Sequence, residues 1–353
     1  MVVDEAKLNE FIGKAVGEWG AAYGVLLTFV GDRLGLFKAM AGAGGALTSE
    51  ELAKKTGTHP RIIKEWLVAE AAGGFVTYNP AAGTYTLPEE QAFALTDENS
   101  PAYIAGEYQV LAGLFKDEEK IIEAFRTGKG LGWGDHHPHL FEGTERFYKP
   151  TYVSNLTTSW IPALEGIEDK LKNGGAKVAD VGCGHGVSTI LMAKAYPNST
   201  IVGFDYHKSS IEWARKNAEK EGLKNITFEV AGSTDYPGDD YDLVAFFDCF
   251  HDMGNPAGAA KHVLQTLKNK NGTWMLVEPF ANDKVEDNFN PLGRAFYGAS
   301  TVICVPASLN ENGLALGAQA GEEKIREIVT SAGFSKFRRA TQTPFNLVFE
   351  ARP

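Results

Sequence analysis

The sequence predicts an α/β protein in which a helix-rich N-terminal half precedes an open, mostly parallel sheet. Three observations carry this. Residues 8–40 repeat apolar side chains at helical spacing. From residue 176 short apolar runs alternate with helical stretches, as βαβ units do. Between the first such run and its helix stands the glycine turn of "VADVGCGHGVSTI". With 353 residues, 44% of them hydrophobic, the chain exceeds one average domain, and two domains joined by a connecting region are expected.

Taken in order, Leu8, Phe11, Ile12, Ala15, Trp19, Ala22, Leu26, Val30 and Leu34 form an apolar stripe. It is long for one globular helix, which predicts two helices broken around Gly20, Gly24 or Gly31. Thr48 or Ser49 then caps a short helix with an acidic first turn, "GTHP" makes a turn, and Arg61 to Ala72 form a second helix ended by Gly73 and Gly74. The β-rich runs "FVTY" and "TYTL" around "NPAAG" read as a hairpin. Helix, turn, helix, hairpin is the order of a winged helix, and it sets a first domain at residues 1–95. Residues 96–175 read as a helical linker rich in aromatics, among them Tyr148, Tyr152 and Trp160. Within it "RTGKGLGWGDHHPHLFEGTERFY" is too rich in glycine for one continuous helix and reads as an irregular covering loop, a lid.

Residues 176–353 form the third part. Its strands are "KVADVG", "TIVGFD", "ITFEVA", "YDLVAFFD" and "TWMLVEP", with helices beginning near Ser188, Ser209 and Pro256. One connection is too short to assign. The tail adds the helix "GEEKIREIVTSAGF" and the strands "KFRRATQ" and "NLVFEAR", seven strands in all.

A formal charge of -11 disfavours polyanionic partners such as nucleic acid, whose binding relies on Lys and Arg. The amphipathic N-terminus lacks the apolar core of a secretory signal, and "YGVLLTFVG" is too short to cross a bilayer, so a soluble cytoplasmic protein with no membrane partner is expected. Cys183, Cys249 and Cys304 are too widely spaced for a disulfide framework or a CxxC metal pair.

The glycine turn places Asp180, Gly182, Gly184 and Gly186 between a strand and a helix. Glycines let the backbone bend tightly and approach a ligand, and the helix N-terminus offers unpaired N–H groups. The dinucleotide fingerprint has its third glycine three residues after the second, where this chain has Val187. The spacing is instead GxGxG. The second strand ends in Asp205, where nucleotide-binding α/β sheets carry a carboxylate for ribose hydroxyls.

An acid followed by GxGxG, a second acid ending strand two, seven strands and the final "NLVFEARP" together resemble the class I S-adenosylmethionine-dependent methyltransferases. With the winged helix and helical linker in front, the order of nearly the whole chain is similar to plant O-methyltransferases and mycobacterial winged-helix relatives. The resemblance implies a Rossmann-like methyltransferase domain and a homodimer formed through the N-terminal domain. It also implies S-adenosylmethionine as cofactor, with S-adenosylhomocysteine as product, and a small-molecule acceptor methylated on O, S or N. Carried over residue by residue, it gives the methionine part of the cofactor to Asp180 and the loop of Gly182, Cys183, Gly184 and Gly186, the ribose to Asp205 and the adenine face to Tyr206. Where many relatives have an acid after strand three, this chain has Gly232, Ser233 and Thr234, which become the adenine-edge candidates, while Phe247 and Asp248 wall the cofactor pocket.

"FFDCFHDM" ends the fourth strand, whose continuous apolarity fits burial on both faces. In the plant enzymes a His-Asp pair after this strand supplies the base that deprotonates the acceptor, which implies His251 and Asp252 here, with Met253 in place of the usual aromatic residue. Imidazole suits that work because it titrates near neutral pH. Alternatives are a metal site of Asp248, Cys249, His251 and Asp252, and simple packing of His251 beneath the cofactor. The first is disfavoured because adjacent residues on one turn cannot all converge on one ion, and no metal is expected. Trp133, His139 and Phe141 of the covering loop, with Tyr148 and Tyr152, are acceptor-contact candidates. So are Glu278, Asn290, Arg294 and Tyr297, in or after the fifth strand. The competing function is a winged-helix DNA-binding regulator that uses the cofactor domain as a sensor. Its candidate recognition helix carries Arg61 and Lys64 but also Glu65 and Glu70.

Overall fold

The computed structural model describes residues 3–268 and 271–353. The chain forms two compact units, Met1–Lys116 with His137–Pro150, and Asp117–His136 with Thr151–Pro353.

The first unit opens with α1 (Glu5–Arg33), capped by Asp4, whose side chain accepts from the Ala6 and Lys7 N–H groups. The expected break at Gly20, Gly24 or Gly31 is absent: α1 runs straight through all three. An interior glycine weakens a helix by only about 1 kcal/mol against alanine, which tertiary packing can offset. Gly31 has a packing reason, since a Cβ there would lie 2.7 Å from the rings of Phe37 and Trp66. The chain turns instead at Gly35, which takes a left-handed φ of 67°. There follow α2 (Leu36–Ala41), α3 (Ser49–Thr56) and α4 (Pro60–Ala72). Thr48 caps α3 in a reciprocal box with Glu51, so the sequence signal for a cap at this point holds. Strands β1 (Thr77–Asn79) and β2 (Thr84–Thr86) pair as the expected hairpin, with Tyr78 opposite Tyr85. The core gathers Phe37, Leu52, Trp66 and Leu67, and the Trp66 indole N–H donates to the Leu27 carbonyl. Helices α5 (Glu89–Leu95) and α6 (Ala105–Leu114) complete this part.

The second unit begins with α7 (Glu118–Thr127). Helix α8 (Pro138–Asn155), whose residues up to Pro150 belong to the first unit, corrects the loop reading: all of "PHLFEGTERFY" is helical, and only the stretch from Gly128 to His137 is irregular apart from one short turn. The glycines that suggested a loop cluster before Pro138, and Gly143 is tolerated because it faces a tight neighbour, the Val110 backbone, where a Cβ would sit 2.7 Å away. A short helix α9 (Ile167–Asn173) leads into the sheet.

That sheet is built from β3 (Lys177–Val181), β4 (Thr200–Asp205), β5 (Ile226–Val230), β6 (Leu243–Phe247), β7 (Thr273–Pro279), β8 (Lys336–Gln342) and β9 (Asn346–Arg352). Their spatial order is β5-β4-β3-β6-β7-β9-β8, parallel up to β7 and antiparallel for the last two. Strands β4 and β6 flank β3 on opposite sides, which makes the carboxyl ends of β3, β4 and β6 the topological switch point where open sheets bind ligands. Helices α10 (Val187–Ala195), α11 (Lys208–Lys220), α12 (Pro256–Thr266), α13 (Pro291–Ala299), α14 (Val305–Asn310) and α15 (Gly321–Ser331) accompany it. No helix joins β5 to β6, the connection that the sequence left unassigned. The core beneath the switch point is closed by Phe204, Phe246, Phe250, Trp274 and Phe349, all essentially buried. Among the described residues no helix is long and apolar enough to cross a membrane.

Candidate active site

Asp180, at the end of β3, is fully buried. Its Oδ2 accepts from the hydroxyls of Ser188 and Thr189, both at 2.6 Å, in the first turn of α10. Its Oδ1 is enclosed and has no donor. Burial pushes its pKa up to about 6, against the pull of the two hydroxyl bonds. Gly182, Gly184 and Gly186 take φ of 75°, 52° and 81°, a region in which only glycine is unstrained. Two of them are also sterically required. A Cβ on Gly182 would lie 2.7 Å from Cys249 Sγ, and one on Gly186 2.7 Å from the Phe228 ring. Gly184 faces open space and donates its N–H to Asp205 Oδ2 at 2.9 Å. Cys183 packs in a buried cluster with Ile190, Ile211 and Phe228, and burial raises its thiol well above the ordinary range.

Asp205 Oδ1 accepts from the His207 N–H at 2.8 Å, so its carboxylate ties the glycine turn to the start of α11. Burial raises its pKa despite the two N–H bonds. Tyr206 follows and remains 53% exposed. At the end of β5, Ser233 and Thr234 occupy a turn closed by Asp235, whose Oδ1 accepts from the Gly232 N–H at 2.8 Å. Asp235 was not singled out from the sequence, and no local pattern announces a carboxylate that accepts from an N–H three residues before it.

At the tip of β6 the structure brings together three segments distant in sequence. Asp248 takes a left-handed φ of 51°. Its Oδ2 accepts from the Tyr152 hydroxyl at 3.0 Å and its Oδ1 from Asn346 Nδ2 at 2.7 Å. Burial, then the charge of Glu278, pushes its carboxyl up to about 8. The Tyr152 and Trp160 rings lie 5.4 and 6.5 Å from that of Phe247.

His251, in the short turn Phe250–Asp252, is buried. Its Nδ1 lies 2.7 Å from Glu278 Oε2, and Glu278 Oε1 accepts from the Phe250 N–H at 3.1 Å. Glu278 stands on β7, next to β6. Burial alone would lower the imidazole pKa, but the Glu278 carboxylate and then Cys304 raise it well above its ordinary value. Asp252 is pushed up to about 7 by burial, with the neighbouring imidazole pulling the other way. Among the described residues no three His, Cys, Asp or Glu side chains gather as a metal site.

The remaining sequence candidates lie on several elements of the two units. Trp133 begins a short turn (Trp133–Asp135) in the second unit, in a strap held by the Leu131 N–H to the Pro306 carbonyl at 3.0 Å. His139, Phe141 and Tyr148 lie on α8 in the first unit. There the His139 ring packs against Phe29 at 5.3 Å, and Tyr148 against Phe147 at 5.1 Å. Glu278, expected to contact substrate, is turned to His251. Asn290 caps α13, accepting from the Gly293 N–H at 2.9 Å, while Arg294 and Tyr297 lie along that helix. His136 is buried in the second unit with Nδ1 3.1 Å from Asp117 Oδ2, and His137 faces His139 in the first.

Residues 172–333 match the family described as a methyltransferase domain, and residues 21–97 match the Rv2258c-like winged HTH domain. Over 119 residues, 33% of this chain and 31% of the relative, the sequence is 29% identical to "Probable (S)-tetrahydroprotoberberine N-methyltransferase 2" of Papaver bracteatum. Over 122 residues, 33% of this chain and 47% of the relative, it is 32% identical to the uncharacterized methyltransferase YcgJ of Bacillus subtilis (strain 168). The matched stretch thus spans less than half the length of either curated relative. The fold is shared with human N-acetylserotonin methyltransferase in complex with SAM, at a TM-score of 0.70 and 18% identity, covering 100% of this chain and 99% of that one. It is shared equally with the mitomycin 7-O-methyltransferase MmcR, at a TM-score of 0.70 and 16% identity, covering 99% of this chain and 100% of that one.

Proposed function

We propose that this chain, in which a methyltransferase domain follows a winged-helix domain, transfers a methyl group from S-adenosylmethionine to an oxygen, sulfur or nitrogen atom of a small molecule. The observation that carries the reading is the glycine turn strung between the buried carboxylate of Asp180 and the partly buried one of Asp205, at the switch point of the sheet. The residues present fit that cofactor. Asp180 Oδ1 is a buried acceptor without a donor, suited to an ammonium, and Gly184 leaves the approach over the turn open. When bound, S-adenosylmethionine supplies a methyl group already activated on a sulfonium sulfur. Asp180 and the turn from Gly182 to Gly186 would hold its methionine part, Asp205 its ribose hydroxyls, and Tyr206, Ser233 and Thr234 its adenine. Gly232 supports that edge through Asp235. Cys183, Phe247 and Asp248 wall the pocket.

His251 is the general base in this reading. With its Nδ1 proton directed at Glu278, Nε2 would receive the proton of the acceptor in place of its contact with Cys304, and the ion pair with Glu278 would hold it. Asp252 balances the resulting imidazolium. Within the second unit, Trp133, Tyr152, Arg294 and Tyr297 are assigned to the acceptor. Labelled S-adenosylmethionine offered with a panel of phenols, thiols, amines and carboxylates should mark at least one class. Calorimetry showing no uptake of the cofactor would end this proposal.

The chain also forms a homodimer in this reading, through α1. Phe11, Val16, Trp19, Tyr23 and Leu26 are exposed along it, Trp19 at 64% and Tyr23 at 71%. A contiguous apolar face of this kind marks an interface.

A further inference from the structure

A cavity of about 420 Å³ opens in the second unit beside Phe280, Asn288, Asn290, Leu292, Gln319 and Gln342. That volume falls in the range of small-ligand pockets, roughly 300–1,000 Å³. No lining residue carries a charge, although 22% of the chain is charged. Four of the six named walls are amides and the other two are apolar. The flanking Phe289 and Phe345 are 76% and 45% exposed.

The cavity is joined to the His251–Glu278 pair by backbone. Phe280 follows Glu278 by two residues and keeps the extended pairing with the chain leading into β9, its N–H donating to the Phe345 carbonyl at 2.8 Å. In extended chain, residues two apart share a face and stand about 7 Å apart, so this wall begins one ring width from Glu278. The opposite loop is tied to His251 and to Phe280. The Gly317 N–H donates to the His251 carbonyl at 3.0 Å, and Gln319 Nε2 donates to the Phe280 carbonyl at 3.0 Å. Gln319 Oε1 is left enclosed without a donor, an unmet need at the wall.

We propose that this cavity is a distal acceptor subsite that holds an uncharged, ring-bearing part of the acceptor while its nucleophilic atom lies at His251. The proposal rests on the methyltransferase reading for its role, though not for the binding itself. A ring would pack on Phe280 and Leu292, with Gln319 Oε1 as an amide group not already committed within the fold. A carboxylate or ammonium would lose solvation there against walls that carry no charge of their own, which disfavours both.

Coumarin, an uncharged bicycle, and coumarin-3-carboxylate are the probes, titrated into the full chain by calorimetry. Leu292→Trp and Gln342→Trp fill the cavity from two different elements, so a folding defect in one leaves the other informative. Coumarin should bind the unaltered protein, at least about tenfold more tightly than its carboxylate, and lose about tenfold or more in either folded variant. Absence of coumarin binding, equal binding of the carboxylate, or variants that bind coumarin unchanged would each overturn the subsite. S-adenosylmethionine uptake, measured in parallel by calorimetry, should be unchanged in both variants. Its absence from the unaltered protein would sink the methyltransferase reading while leaving the coumarin result standing as a binding site.

Discussion

His251 Nδ1 and Glu278 Oε2 lie 2.7 Å apart, and the second oxygen of that carboxylate accepts from the backbone N–H of Phe250. One side chain therefore fixes both the imidazole and the turn that carries it. This geometry puts the imidazole proton on Nδ1 and makes Nε2 the basic atom.

Replacing His251 with alanine should lower turnover of hydroxyl acceptors by about 10²- to 10⁴-fold, the usual worth of a positioned base. Cofactor affinity should change little, because the glycine turn and Asp205 are untouched. An acidic thiol acceptor, already ionised, should lose far less. Steady-state kinetics with paired phenol and thiol substrates make the comparison, and full phenol turnover in the alanine variant would remove His251 from the chemistry.

The pH dependence has a definite sign. Glu278 raises the imidazole pKa above its ordinary value, and the base works only when deprotonated. Hence kcat/KM should rise with pH around a midpoint above about 6.5. Glu278→Gln removes the charge that does the raising, so the midpoint should fall. A profile with the same midpoint in both proteins would show that the pair does not control the titration.

Asp248 should make stability pH-dependent. Its folded-state pKa is raised from 3.8 to about 8, so the fold favours the protonated carboxyl. That contribution is complete below the unfolded pKa and is lost as pH rises through about 8. Asn at this position tolerates a positive φ and cannot ionise. Thermal melts between pH 6 and 9 should therefore fall less steeply for Asp248→Asn than for the unaltered chain.

Asp205→Asn keeps the shape of the side chain but presents one amide to a backbone N–H that needs an acceptor. S-adenosylmethionine affinity should weaken at least about tenfold by calorimetry, equivalent to about 1.4 kcal/mol. Undiminished affinity would separate this carboxylate from the ribose.

Trp19→Asp with Phe11→Asp places two charges on the exposed face of α1. Neither residue belongs to the core around Trp66, so the variant should fold. Light scattering should then report a monomer where the unaltered chain gives a dimer, whereas a dimer in both would clear α1 of that role.

The glycine turn and the acid that ties to it were legible because their geometry is local. A strand, three glycines at fixed spacing and a helix start are contiguous, and the acid ending β4 follows from the next strand. The sheet was legible for the same reason, each strand announcing itself by apolarity and bounded by turns. What stayed hidden depends on neighbours distant in sequence. Glu278 meets His251 because β7 lies beside β6, and Tyr152 and Asn346 meet Asp248 only once α8 and β9 are placed. In α1 Gly20, Gly24 and Gly31 suggested a break, yet the rings of Phe37 and Trp66, which no local pattern reveals, require the last of them. In α8 the glycines ahead of Pro138 were allowed to speak for the residues behind it.

The near-contact between Gly182 and Cys249 sets an order on how this protein can change over generations. A methyl group at 182 strikes the sulfur at 2.7 Å, and the positive φ there resists it independently. Position 249 therefore has to shrink before 182 can grow, and even then only a lineage that has also reshaped the turn could keep the new residue.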